Sequence, residues 1–202
     1  ALSRYPITHR QYQAFVDDGG YGDDRWWAGL ARRFDAPTHA AWPEPNAPRE
    51  TVCWYEAVAF CRWLSHWLGL TEAVRLPSEQ EWERAAAGLK GWAYPSAAKD
   101  YVLGHANLHE GNDKGGGGEF QGRTTAVGIY PSGASREGNV LDLAGNVWEW
   151  CLNAYEQPDN VSTEGDVPRV LRGGSWSYDP SDARASNRNG YYPDNRVSYI
   201  GF

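Results

Sequence analysis

A pair of histidines, a trio of cysteines and a run of glycines are the residues of this chain whose types could do chemistry. His105 and His109 stand four apart, the spacing that places two imidazoles on one helix face to hold a metal. No glutamate lies between them and Ala106-Asn107-Leu108 reads as loop, so neither catalysis nor a structural metal is expected there. Cys53, Cys61 and Cys151 are odd in number and lack metal-ligand spacing. Buried, inert thiols are the expectation. Gly115 to Gly118 lacks the Lys and Ser/Thr with which a glycine loop cradles phosphate, and reads as a surface turn. A formal net charge of −7 with scattered Lys and Arg excludes a phosphate-backbone footprint, so no nucleic-acid partner is expected. No run approaches the roughly 18 apolar residues of a membrane span. The chain opens at Ala1 without a signal-peptide pattern and contains no Met, so the natural start is expected upstream and localisation stays open.

The elements that must position any site are few. With 41% hydrophobic and 22% charged residues the chain can bury a core, and its 11 Trp and 12 Tyr predict one threaded with side-chain-to-backbone hydrogen bonds. Thr8 and Gln11 form a capping box ahead of Tyr12, Phe15 and Val16 at helical spacing, and Gly19-Gly20 stops that helix. Residues 21–50 lack periodicity and read as a long loop pinned by Trp26, Trp27 and Trp42. A second helix is predicted over about Tyr55–Leu68, with Val58, Cys61, Leu64, Ser65 and Leu68 in one stripe and Gly69 at its end. Ser78 and Glu81 cap a third short helix through Ala85-Ala86-Ala87. From Thr124 to Phe202 short strands and turns are expected, and no linker divides the chain, so residues 1–202 read as one domain.

Several ordered segments resemble one family. They are Tyr5-Pro6-Ile7-Thr8 with Gln11-Tyr12, Arg75-Leu76-Pro77-Ser78-Glu79-Gln80-Glu81-Trp82-Glu83, Gly145-Asn146-Val147-Trp148-Glu149-Trp150, Arg172-Gly173-Gly174-Ser175-Trp176, and the closing Asn195-Arg196 with Ile200-Gly201-Phe202. Together they resemble the formylglycine-generating-enzyme (sulfatase-modifying factor) family. The resemblance implies an α+β, C-type lectin-like fold with few short helices and strands. Enzymatic members use two cysteines just after the Gly-Gly-Ser-aromatic motif to bind copper and oxidise a substrate cysteine. Tyr178 and Ala183 stand at those places, and neither offers a thiolate. A related branch uses a His-ligated iron whose ligands sit in a separate helical domain, for which this chain is too short. The expectation is therefore a chain that is not an enzyme and requires no cofactor. The resemblance also allows calcium near Asn107 and Leu108 and around Asn146 and Glu149, where oxygen ligands suit a hard ion. The acidic ligand expected two residues before Phe120 is replaced by Gly118.

The C-terminal segment carries the expected function. Fixed-looking residues alternate with four blocks: Ser177, Tyr178 and Asp179; Ser181 and Asp182; Gly190, Tyr191 and Tyr192; Val197, Ser198 and Tyr199. The arrangement before Ile200-Gly201-Phe202 is similar to the variable region of diversity-generating retroelement proteins, in which adenine-directed mutagenesis rewrites Asn codons. Changing only those adenines never yields Lys, Glu, Gln, Met or Trp. None occurs from Ser177 onward, and all 11 Trp lie before it. Tyr with Ser, Asp and Gly is also a contact palette: Tyr buries area at low entropic cost while the small polar residues adapt. These observations predict a non-catalytic binder whose surface over 177–199 faces a protein or peptide. The blocks should share one face with their rings toward solvent. Ala183, Ala185, Asn187, Asn195, Ile200 and Phe202 should turn inward or bond backbone, and Arg184, Arg188 and Arg196 should brace the loops from beneath. Neither helical nor strand periodicity runs through the segment, so the Trp-rich core is expected to hold it without a ladder.

Overall fold

A computed structural model describes residues 2–71, 73–97, 99–111 and 120–202. Each helix starts where side chains can serve its unpaired backbone N–H groups. Thr8 accepts from the Gln11 N–H, and Gln11 accepts in return from the Thr8 N–H at 2.9 Å, opening α1 (His9–Asp17). Ser78 and Glu81 do the same for α4 (Glu79–Ala87). Between them, α3 (Trp54–Trp67) begins at Cys53, whose N–H donates to Glu56 at 2.8 Å. Its first two turns are buried all round, while Trp67 and Leu68 emerge into solvent, so the expected stripe through Leu68 leaves the core at its last turn. The long loop contains one element that periodicity could not reveal, the four-residue α2 (Asp24–Trp27), capped by Asp23. Trp26 and Trp27 are buried there, whereas Trp42 is only half-buried.

Four strands form one sheet in the order β3-β2-β1-β4, with β1 (Trp148–Ala154), β2 (Arg169–Arg172), β3 (Asn189–Tyr191) and β4 (Ile200–Gly201). β1 and β2 are antiparallel, with Glu149 opposite Arg172, and both are buried along their whole length. β3 pairs antiparallel with β2, and β4 lies parallel to β1 with Trp148 opposite Ile200. The C-terminal segment is therefore held by two ladders as well as by packing, which corrects the expectation that no ladder holds it.

The tryptophan-rich core behaves as its chemistry demands. The indole N–H groups of Trp54 and Trp150 donate to the carbonyls of Cys151 (2.9 Å) and Val52 (3.0 Å), tying α3 to the sheet. Arg169, fully buried, stacks 4.0 Å over the Trp54 ring and donates to the Leu152, Ser162 and Glu164 carbonyls. Three carbonyls and the indole face receive the charge and make its burial tolerable, while the Arg169 Nε stays buried without a protein partner among the described residues.

Candidate functional site

The site begins where β2 ends. Gly173 and Gly174 both take positive φ (97° and 73°), and a Cβ on Gly174 would sit 3.2 Å from the Ala183 backbone. This left-handed corner suits glycine alone and turns the chain back over the sheet. Ser175 is buried, and the Tyr178 N–H bonds its carbonyl at 3.0 Å. The Tyr178 ring meets Trp148 edge to face at 5.5 Å and Tyr199 at 5.5 Å. The hydroxyls of Tyr191 and Tyr199 lie 3.0 Å apart. Three separate blocks thus bring their tyrosines into one cluster at the margin of the main core. Burial first, and the neighbouring phenols second, hold Tyr178 and Tyr199 above the ordinary phenol value, so both keep their protons.

The scaffold beneath is fixed at several points. Ala183, Ala185, Ile200 and Phe202 are buried, and the Asn187 side chain donates to the Asp182 carbonyl at 2.9 Å. Buried Pro193 accepts from the Trp54 N–H, and Val197 accepts from the Thr51 N–H, docking the last loop on the start of α3. Arg188 grips Glu79 with two nitrogens (2.5 and 3.0 Å), while Arg196 donates to Glu56 at 2.8 Å and stacks on Phe34. Arg184 does not brace from beneath: it is exposed and lies over the Tyr94 ring.

The blocks differ among themselves. Asp179, Ser181 and Tyr192 are exposed, and Ser177, Asp182, Val197 and Ser198 are half-buried. Tyr178, Tyr191 and Tyr199 are also half-buried, because their rings lean on the core rather than standing wholly in solvent. Gly190 stands apart. Strand alternation turns it away from Tyr191, and a Cβ there would fall 2.5 Å from the Tyr155 ring. Rings outside the blocks adjoin the cluster: the Trp176 indole N–H donates to the Ser198 carbonyl, and the His109 N–H donates to that of Tyr178. His109 enters through its backbone, which histidine spacing could not signal. His105 pairs with Ser96 instead, and the segment joining the two histidines is not helical.

The calcium candidates separate by chemistry. Asn146, at φ 65°, spends its side-chain oxygen on the Thr125 N–H and the Asn107 amide, and the Leu108 side chain is fully buried and apolar. Asn107 keeps its side-chain oxygen buried without a protein partner among the described residues. Glu149 accepts from the Trp82 indole at 2.8 Å, yet burial and the charge of nearby Asp142 push its carboxyl up to about 8. Burial also pushes Asp142 up to about 6. Both carboxyls are thus buried, and the charge of Asp142 acts on Glu149. Asp142, at φ 60°, was not singled out in the sequence because nothing in its spacing to Glu149 signals that both are buried. Among the described residues no three His, Cys, Asp or Glu side chains gather at a metal site, so carbonyl oxygens would have to complete the shell. Gly118 lies outside the described residues.

The sulfatase-modifying factor enzyme 1-like domain matches residues 1–202. The chain belongs to that family. Among family relatives, the inactive C-alpha-formylglycine-generating enzyme 2 of Bos taurus is 35% identical, across 100% of this chain and 75% of that protein. Hercynine oxygenase of Mycobacterium tuberculosis is 32% identical over 99% of this chain, which spans about half (51%) of that relative's length. The formylglycine-generating enzyme of Thermomonospora curvata is 27% identical over 100% of this chain and 80% of its own. In fold the chain resembles Treponema denticola variable protein 1, with a TM-score of 0.65 at 22% identity over 98% of this chain and 80% of that one. The fold is thus the expected α+β, C-type lectin-like one. The expectation of a chain that is not an enzyme is corrected. Relatives matched along the whole domain include enzymes by name, so Tyr178 and Ala183 in place of cysteines do not set this chain apart from an enzymatic family. Loss of a thiolate pair removes one chemistry, while family members carry out more than one.

Proposed function

We propose that this family member captures a protein or peptide ligand on the face built from Ser177 to Tyr199, and that the exposed block residues set which ligand it is. One observation carries the reading: tyrosines from three separate blocks converge, with Tyr178 against Tyr199 at 5.5 Å and Tyr199 bonded to Tyr191 at 3.0 Å. Rings held rigidly at a surface lose little entropy on binding, and exposed Asp179, Ser181 and Tyr192 add adaptable contacts around them. Buried Ala183, Ala185 and Ile200 between the blocks keep the frame constant while those contacts change. The resemblance in fold to a variable protein agrees with this use of the surface. Calcium belongs to the proposal as a structural ion near Glu149 and Asp142, where it would offset their repulsion and stiffen the turn before β1. The test is selection of random 12-residue peptides on the intact chain and on a variant with Tyr178, Tyr191 and Tyr199 changed to Ser. Peptides enriched by the parent and lost by the variant support the reading; enrichment that ignores the tyrosines overturns it.

A second reading has its own support in the 32% identity to hercynine oxygenase over 99% of this chain. There the same face would line the substrate side of an enzyme. Calorimetric titration of the intact chain with hercynine separates the two. Binding heat lost in the tyrosine variant favours the second reading, and its absence favours the first.

A further inference from the structure

Beside the tyrosine cluster lies a second group of rings, outside the blocks. Trp176 meets Trp42 edge to face at 5.0 Å, and Phe120, which is 51% exposed, lies 6.3 Å from Trp176. His109 stands 4.5 Å from Phe120. The Trp176 indole donates to the Ser198 carbonyl and the His109 N–H to the Tyr178 carbonyl, so the second group adjoins the first.

Among the described residues this surface carries an open carboxylate. The Asp179 side chain is 69% exposed, and its ion pair among the described residues is with His109 at 3.7 Å, longer than a hydrogen bond. Three arginines of the same C-terminal segment are committed elsewhere: Arg188 to Glu79, Arg196 to Glu56, and Arg184 over Tyr94. The chain already places one guanidinium over this ring system, since Arg123, held by Glu44, stands 6.0 Å from the Trp42 centroid. Aromatic faces attract cations, an open carboxylate adds directional charge, and a long aliphatic stem covers ring surface.

We propose that the ligand presents a basic side chain, Arg or Lys on a peptide, seated against Trp176, Phe120 and Tyr178 with its charge paired to Asp179. Trp42, Trp176 and Phe120 then form a constant half of the surface that contributes to every ligand, while Asp179, inside a variable block, tunes the preference for a cation. The inference rests on the binding surface proposed above and deepens it. The test uses the peptides enriched on the intact chain. A consensus containing Arg or Lys is expected, with affinity falling about tenfold on Asp179→Asn and a similar amount on changing that peptide residue to Gln. The two losses should be far from additive, since both remove one contact. Phe120→Ala should weaken the same peptides while leaving the thermal melt in place, because Phe120 is exposed. Enriched peptides that are acidic or uncharged, yet still need Tyr178, Tyr191 and Tyr199, would overturn the cation while leaving the binding surface intact. Failure to enrich any tyrosine-dependent peptide would count against both.

Discussion

Tyr191 and Tyr199 share a hydrogen bond of 3.0 Å between hydroxyls, although one lies in β3 and the other precedes β4. Those strands sit at opposite edges of the sheet, so the bond spans the width of β2 and β1. The contact makes the blocks a single surface, and it also means that not every block residue changes without cost.

Stability should therefore be graded across the blocks. Asp179→Ser, Ser181→Ala and Tyr192→Ser should each shift stability by no more than about 0.5 kcal/mol, as exposed substitutions do. Tyr178→Ser, Tyr191→Ser and Tyr199→Ser should each cost about 1–2 kcal/mol, because half-buried rings lose packing on the core. Trp150→Ala should cost on the order of 3–5 kcal/mol. Denaturant melts order the three sets, and equal losses in the first and second would place the three rings outside the core contacts described.

Gly190 should resist change. Gly190→Ala places a methyl against the Tyr155 ring and should destabilise by about 1–3 kcal/mol, as overpacking does. Adding Tyr155→Ala should recover most of the cost of the Gly190 change. No recovery would mean that the strand backbone, and not the ring, resists the side chain.

The ionisation of Glu149 has a definite sign. Its carboxyl is pushed up to about 8 in the folded protein, so the native state binds a proton more tightly than the unfolded chain. With chelator present, the contribution from this group should be complete below the ordinary carboxylate range and be lost as pH rises toward 8. Glu149→Gln keeps an acceptor for the Trp82 indole and should flatten that decline. Added calcium should raise the melting temperature of the parent at pH 8 and not that of the variant. Equal response in both would remove Glu149 from the ion's ligands.

The thiols should be silent. Burial holds all three above the ordinary value, Cys61 up to about 12. Iodoacetamide at pH 8 should leave the native chain unlabelled and modify Cys53, Cys61 and Cys151 in denaturant. Native labelling of any one would expose a thiol that packing should close.

Much of the frame was legible in the residues because local chemistry dictates it. The reciprocal pairs Thr8 with Gln11 and Ser78 with Glu81 declare helix starts without tertiary help, and Trp54 to Trp67 falls one residue from its expected span. The buried residues between the blocks were legible as punctuation. Long-range features were not. The four-residue α2 barely exceeds one helical turn, too short for a repeat to show, and the effect of Asp142 on Glu149 arises only once both are buried. Gly190 belongs by position to a block, and only the place of Tyr155 reveals that it packs. Arg184 reads like Arg188 and Arg196 in sequence, but among the described residues no buried carboxylate pairs with it, and it stays exposed over Tyr94.

The most direct measurement compares two displayed libraries of the chain, selected for binding to one defined protein, hen egg-white lysozyme. One library is randomised at residues 177–179, 181–182, 191–192 and 197–199, and the other at an equal number of exposed positions on α1, α3 and α4. The account predicts lysozyme binders from the first library alone, folded and retaining Ala183, Ala185, Ile200 and Phe202. Binders arising equally from the helical library, or a first library that unfolds without yielding any, would contradict it.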